Sequence, residues 1–381
     1  MVSSPSLKAA IGAVRGCFAQ AGLGPQPDVL ARHNEHGLHR PAPDAPLVLV
    51  ACSGGRDSLA LTAVAALVAG MNGLRLAAII VDHQLQLGSA AVAEQAARIC
   101  ESLGAEQAFV RTVRVPEADI VRVGMEAAAR TARYTAFAAA VEETGAAAVC
   151  LAHTRDDQAE TVLLGALRSS SPAAFAGMAP LHCDSSGVLY LRPFLDVPRS
   201  ATTAICRGLG VDWWDDPTNG DNLPEAERGS LPLRSRVRQS VMSALEAVGG
   251  LAARDHLAGF AARQRQDQEY LDAVAQREFR RCVMSEAAGP DKGVTPSRWD
   301  VAHLRTLPPP IRRRVCGLVI EVAATVDGSG NRAQLERQAD QLEHLVVRDQ
   351  GAGEVRISCA TTIIRRRQVI ELCQNDRHGS I

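Results

Sequence analysis

Four short blocks of this chain carry side chains that can hold or exchange charge. The first, Ser53-Gly-Gly-Arg-Asp-Ser58, follows the apolar run 46–50 and leads straight into the apolar stretch from Leu59. Gly54 and Gly55 let the backbone approach a ligand with no Cβ in the way. Ser53, Asp57 and Ser58 add hydroxyls and a carboxylate, and a helix starting here aims its unpaired N–H groups at the same spot. This is a cradle for an anion, phosphate above all, although G-x-x-x-x-G-K-[ST] is absent. The second block, Asp82-His83, ends another apolar run, where a His serves either packing or a site. In the third, Glu126, Arg130 and Arg133 share a helical stretch, and their spacing alone reads as a salt-bridged, solvated face. The fourth, His153-Thr-Arg-Asp-Asp-Gln-Ala-Glu-Thr161, opens a helix that Asp156 is placed to cap. Asp157 and Glu160 lie three apart on one face; they either complement the helix dipole or form a carboxylate pair for a cationic substrate or a metal.

Positioning these blocks requires alternating strands and helices. Short apolar runs at 46–52, 75–82, 107–113 and 147–152 read as strands, and helical periodicity near 58–70, 90–103, 124–144 and 156–168 separates them. The alternation predicts an α/β fold, a doubly wound parallel sheet with helices on both faces. Ligands in such sheets sit at the C-terminal ends of the strands, where the polar blocks fall. A leading helix over 7–20 and a Pro/Gly-rich linker over 21–45 precede this region, and a loop over 168–187, a short strand at 188–192 and a helix from Arg199 follow it. A long helical region, about 233–284, and a smaller α+β segment complete the chain. The domains expected are 1–45 (helix and linker), 46–225 (catalytic) and 226–381 (helical linker and small C-terminal domain).

Composition narrows the function classes. A net charge of −1 gives no global basic field for nucleic acid, so any such contact must be local. The ten Cys are scattered with no C-x-x-C pair, which indicates neither a zinc site nor a disulfide framework. No apolar stretch is long enough to span a membrane and no signal-peptide pattern is present, so the expectation is a cytoplasmic protein.

Taken together, the blocks 53–58, 80–83, 126–134 and 152–161, with Gly177-Met-Ala-Pro180, Arg192-Pro-Phe194 and Asp216-Pro-Thr-Asn219, resemble in order and spacing the tRNA(Ile)-lysidine synthetases of the PP-loop ATP pyrophosphatase superfamily. The chain departs from that pattern at Ile80, at Gln84 (where the family carries Gly), at Gln86 and in an insertion over 222–230. The resemblance implies a ligase that adenylates C2 of cytidine 34 in the CAU anticodon of tRNA(Ile) with ATP, releasing pyrophosphate, and then lets L-lysine displace AMP. It implies ATP binding by Ser53, Gly54, Gly55, Arg56, Asp57, Ser58, Asp82 and His83, and Mg2+ on Asp57. Lysine falls to Asp157 and Glu160, and catalysis to these with Asp57, Arg130 and Arg133. The tRNA falls to Arg234, Arg236 and Arg238, with the clusters 312–314 and 365–367 as further phosphate contacts. No membrane partner is implied, and a homodimer is left open. The alternatives are tRNA sulfur transfer, which the lack of cysteine pairs disfavours, an amide-forming ligase, for which no ammonia-supplying domain is visible, and a non-catalytic RNA-binding member.

Overall fold

The computed structural model describes residues 4–27, 29, 41–84, 88–216, 231–288, 294–327, 332–348 and 352–374. Residues 28 and 30–40 of the 21–45 linker, Gln86, Pro217-Thr218-Asn219 and the 222–230 insertion lie outside the described residues. Two compact units are present, Met1–Arg265 and Gln266–Ile381.

The described strands of the first unit form a six-stranded sheet in the order β3-β2-β1-β4-β6-β5. They are β1 (Leu47–Ala51), β2 (Arg75–Asp82), β3 (Ala108–Thr112), β4 (Ala148–Cys150), β5 (Leu181–Cys183) and β6 (Leu189–Leu191). All pair in parallel except β5, which runs antiparallel to β6. Both faces of the sheet are covered, and the side-chain alternation of each strand divides its residues between two cores. Leu47, Leu49, Ala77, Ile79 and Val149 pack with Phe137 and Ala140 of the helix Met125–Thr144. Val48, Val50, Ala78, Ile80 and Cys150 pack on the other face with the helices Pro5–Gln20, Arg56–Asn72, Ser89–Ser102 and Arg199–Leu209. Strand order reverses between β1 and β4, and a ligand crevice belongs outside the carboxyl ends at that point. The loop 52–55 leaves β1 there and 151–154 leaves β4 there, so topology alone brings the phosphate cradle and the acidic helix together.

The 168–187 stretch is not simply the loop expected. It holds a short 3-10 turn, Pro172–Phe175, and β5, which forms a hairpin with β6. Asp184 organises the turn by accepting from the Ser186 and Val188 N–H groups. Ser and Gly there belong to a tight turn between strands of three residues each, too short for their alternation to register. The helical region after Pro232 is broken at Gly250 (φ +74°) and carries a π-helical stretch, Val237–Met242.

The second unit has its own core around Trp299, Val315, Val319, Ile320 and Leu342. Its described strands form a five-stranded antiparallel sheet. Among the described residues, no helix is long and apolar enough to cross a membrane.

Candidate active site

The cradle begins at Gly54, whose φ of +79° is left-handed and whose added Cβ would stand 3.3 Å from Ala96 Cβ. Gly55 then caps the helix Arg56–Asn72. Ser58 Oγ reaches back to donate to the Gly55 carbonyl (2.8 Å) and accepts from the Ser53 N–H (3.2 Å), closing the loop on itself. The Trp214 N–H donates to the Gly54 carbonyl at 3.0 Å and so ties the turn before the 217–230 stretch to the loop. Ser53, Gly55, Arg56, Asp57 and Ser58 line a cavity of about 760 Å³, with Asp82 and His83 at the end of β2. Apolar side chains line it from both flanks of the sheet, Ile80, Val92 and Ala93 on one side and Met125 and Phe137 on the other, as suits a base.

The helix Arg155–Arg168 supplies the opposite side. Thr154, not Asp156, caps it: the Thr154 N–H and hydroxyl both donate to Asp157 Oδ2 at 2.7 Å. Asp156 instead accepts from the Arg199 N–H (2.8 Å) and from Arg254 (2.6 Å). Asp157 keeps its Oδ1 for guanidinium groups, with Arg199 and Arg234 each 3.1 Å away. Although burial pushes its carboxyl up, Arg199 and Arg234 outweigh that and hold it well below the usual carboxylate range. Glu160 is only 1% exposed and does not line the cavity. It meets Arg234 Nε at 2.9 Å, Arg238 Nε at 2.6 Å and Arg199 at 3.5 Å. Asp57 accepts from Arg199 Nε (3.2 Å) and from the Thr202 hydroxyl. Three carboxylates, Asp57, Asp157 and Glu160, thus face three guanidiniums, and the formal charges cancel.

This arrangement splits the arginine triplet. Arg234 and Arg238, four residues apart, turn toward the carboxylates and line the cavity, whereas Arg236 is exposed. The expected open carboxylate pair is, in this state, already paired with arginine. The basic clusters of the second unit are similarly engaged: Arg312 with Glu343 (3.3 Å), Arg313 with Glu343 (3.1 Å) and Arg314 with Asp272 (2.8 Å). Arg365 is 2% exposed and donates to the Leu345, Arg348 and Arg367 carbonyls, a structural use that three adjacent arginines in the sequence do not reveal.

At the end of β2, Asp82 Oδ1 accepts from the Gln84 N–H at 2.9 Å. Gln84 takes a left-handed φ of +54°, a conformation that favours Gly, and this bond supports the turn in glycine's absence. Arg133 Nε donates to His83 Nε2 at 3.3 Å inside the cavity. Arg130 stands outside the lining and lays its guanidinium over the Tyr134 ring at 4.8 Å, so it turns to Tyr134 rather than to the expected Glu126 partner. Burial drives the His153 ring down to about 3 and His83 down to about 4, the latter with help from Arg133. Both rings are therefore neutral near pH 7, and among the described residues neither Nδ1 has a partner. Arg199, Thr202 and His153 join the site although the motifs assign them no role. The available signal was the spacing of three between Arg199 and Thr202 at the start of a helix, which puts both on one face.

The arrangement can hold a polyphosphate on the loop, seat a base among apolar side chains and offer Asp157, on the lining, to a cation that exchanges with arginine. Comparison with known proteins agrees with that chemistry. A family model described as the PP-loop domain matches residues 30–245. A tRNA(Ile)-lysidine synthase of Bifidobacterium longum subsp. infantis is 40% identical over 100% of both chains. The Leifsonia xyli subsp. xyli protein of the same name is 43% identical over 81% of this chain and 85% of its own. That of Streptomyces coelicolor is 38% identical over 86% and 84%.

Proposed function

The chain belongs to the tRNA(Ile)-lysidine synthase family of PP-loop proteins and carries out ATP-dependent lysidine synthesis on tRNA(Ile); from that premise we propose how its residues divide the reaction. ATP lies in the cavity with its phosphates on the 53–58 loop, and the adenine takes the apolar part of the lining. The C2 oxygen of cytidine 34, presented by a CAU anticodon, attacks the α-phosphate and pyrophosphate leaves. This step is needed because a ring carbonyl oxygen is a poor leaving group whereas AMP is a good one. Loop N–H groups at a helix start, with Arg133 nearby, oppose the charge that builds on the departing pyrophosphate.

Mg2+ fits Asp57: each carboxylate oxygen accepts one hydrogen bond and retains a lone pair, and the side chain borders the cavity. Bound there with the ATP phosphates, the ion would supply charge neutralisation at the leaving group.

Lysine then enters opposite the loop. Its ammonium exchanges with the guanidiniums of Arg234 or Arg238 at Asp157 and Glu160. Free lysine titrates at about 10.4, so a proton must leave before the amine attacks. Asp157 and Glu160 together anchor the ammonium, and one of the two accepts that proton as the amine attacks. The observation carrying this reading is the meeting of phosphate loop and carboxylate pair at the sheet's switch point, bridged by one ionic cluster.

The test combines purified protein, ATP, labelled lysine and unmodified CAU tRNA. Label should enter tRNA only when ATP is present; ATP cleavage without lysine incorporation would overturn the reading. The lysine assignment is checked separately by Asp157→Asn, which should raise the KM for lysine. An unchanged KM and turnover would remove Asp157 from that role.

A further inference from the structure

Arg199 lies outside every motif that carries the family resemblance, yet its guanidinium touches both halves of the site. Its Nε is 3.2 Å from Asp57 Oδ2, one terminal nitrogen is 3.1 Å from Asp157 Oδ1 and the other is 3.5 Å from Glu160 Oε1. Each of the three nitrogens thus faces a different carboxylate. The residue begins the helix Arg199–Leu209, its own N–H is anchored on Asp156 Oδ2 at 2.8 Å, and its side chain is 12% exposed. One turn on, the Thr202 hydroxyl donates to the second oxygen of Asp57, so a single helix face grips that carboxylate from two sides.

Resting on the function proposed above, we propose that Arg199 is the positioning residue that sets the phosphate-side Asp57 and the amine-side pair Asp157 and Glu160 in register, so that adenylation and lysine transfer both depend on it. The two helices that carry these acids start from different strands, β1 and β4, and the Arg199–Leu209 helix is a third element. A planar guanidinium presents its donors in a fixed fork; an ammonium is a point charge on a flexible stem and cannot hold three carboxylates at set separations. Arg234 and Arg238 join the cluster on its amine side, at Asp157 and Glu160.

The experiment compares Arg199→Lys and Arg199→Gln in the full-length chain. Adenylation is read as tRNA-dependent ATP–pyrophosphate exchange without lysine, transfer as the KM and kcat for lysine incorporation, and folding as the urea midpoint. Arg199→Lys keeps the charge, so its midpoint should stay close to that of the parent chain. Both its half-reactions should nevertheless fall, by about a hundredfold for a displacement near 1 Å, with the KM for lysine raised. Arg199→Gln should be worse in both. A loss confined to one half-reaction overturns the proposal. So does a fall in midpoint and active fraction with an unchanged KM, or a lysine variant equal to the parent. Absence of lysine incorporation by the parent chain would instead overturn the function itself, which keeps the two failures apart.

Discussion

Glu160, at 1% exposure, is the most deeply placed acid of the site, and it shows how a side chain can serve folding and chemistry together. Glu160→Gln leaves three guanidiniums facing too little negative charge. Removing one partner from a buried ionic cluster costs about 3–5 kcal/mol, and the urea midpoint should fall accordingly before any kinetic effect is considered. Gly54 works through the backbone. At φ +79°, Gly54→Ala should lose about 1–2 kcal/mol from the left-handed conformation, and its new Cβ would press on Ala96. We expect weaker ATP binding with a modest fall in midpoint; unchanged ATP affinity would show that the loop tolerates another shape. Residue types in these blocks were readable from the sequence because the chemistry of phosphate and ammonium demands them. Their partners were not readable: Arg199 lies 142 residues from Asp57, and nothing local connects the two.

At the scale of elements, the strands and helices that carry the site follow from apolar periodicity, since both faces of a doubly wound sheet demand long apolar runs. The Arg155–Arg168 helix illustrates the limit of such reading. An acid in the first turn suggests capping by Asp156, but Thr154 holds the N-cap and Asp157 closes the box, with one oxygen for the helix and one for the arginines. Thr154→Ala should therefore cost about 1 kcal/mol of stability and also loosen Asp157. A rise in the KM for lysine accompanying the lower unfolding midpoint would check both effects at once. β5 is illegible in the sequence for a different reason: three residues give alternation no room, and only pairing with β6 defines the strand.

For the molecule as a whole, acidity should be destabilising well above the carboxylate range. His153 and His83 titrate near 6.5 when unfolded but at about 3 and about 4 in the fold. Between those limits the unfolded chain binds more protons, so stability falls as pH falls below 6.5. Asp157, depressed in the fold, adds a further loss at lower pH as its carboxylate is protonated. The urea midpoint followed from pH 7 to 4 should decline, and His153→Gln should flatten that decline. Binding of tRNA offers a second whole-molecule test, because a net charge of −1 leaves attraction to local arginines. Arg236→Gln, at an exposed position, should reduce the salt slope of tRNA binding by about 1, while Arg312→Gln, already paired with Glu343, should leave it unchanged. The sequence by itself determined the layered fold, the phosphate loop and the family, because each rests on local spacing and on residue types that the chemistry requires. Tertiary structure alone decided which charges neutralise which: Arg234 and Arg238 turned inward, Arg365 became a buried donor, and Arg199 joined three carboxylates. Coulombic partners are chosen by distance in space and by exclusion of water, and neither quantity is written along a chain.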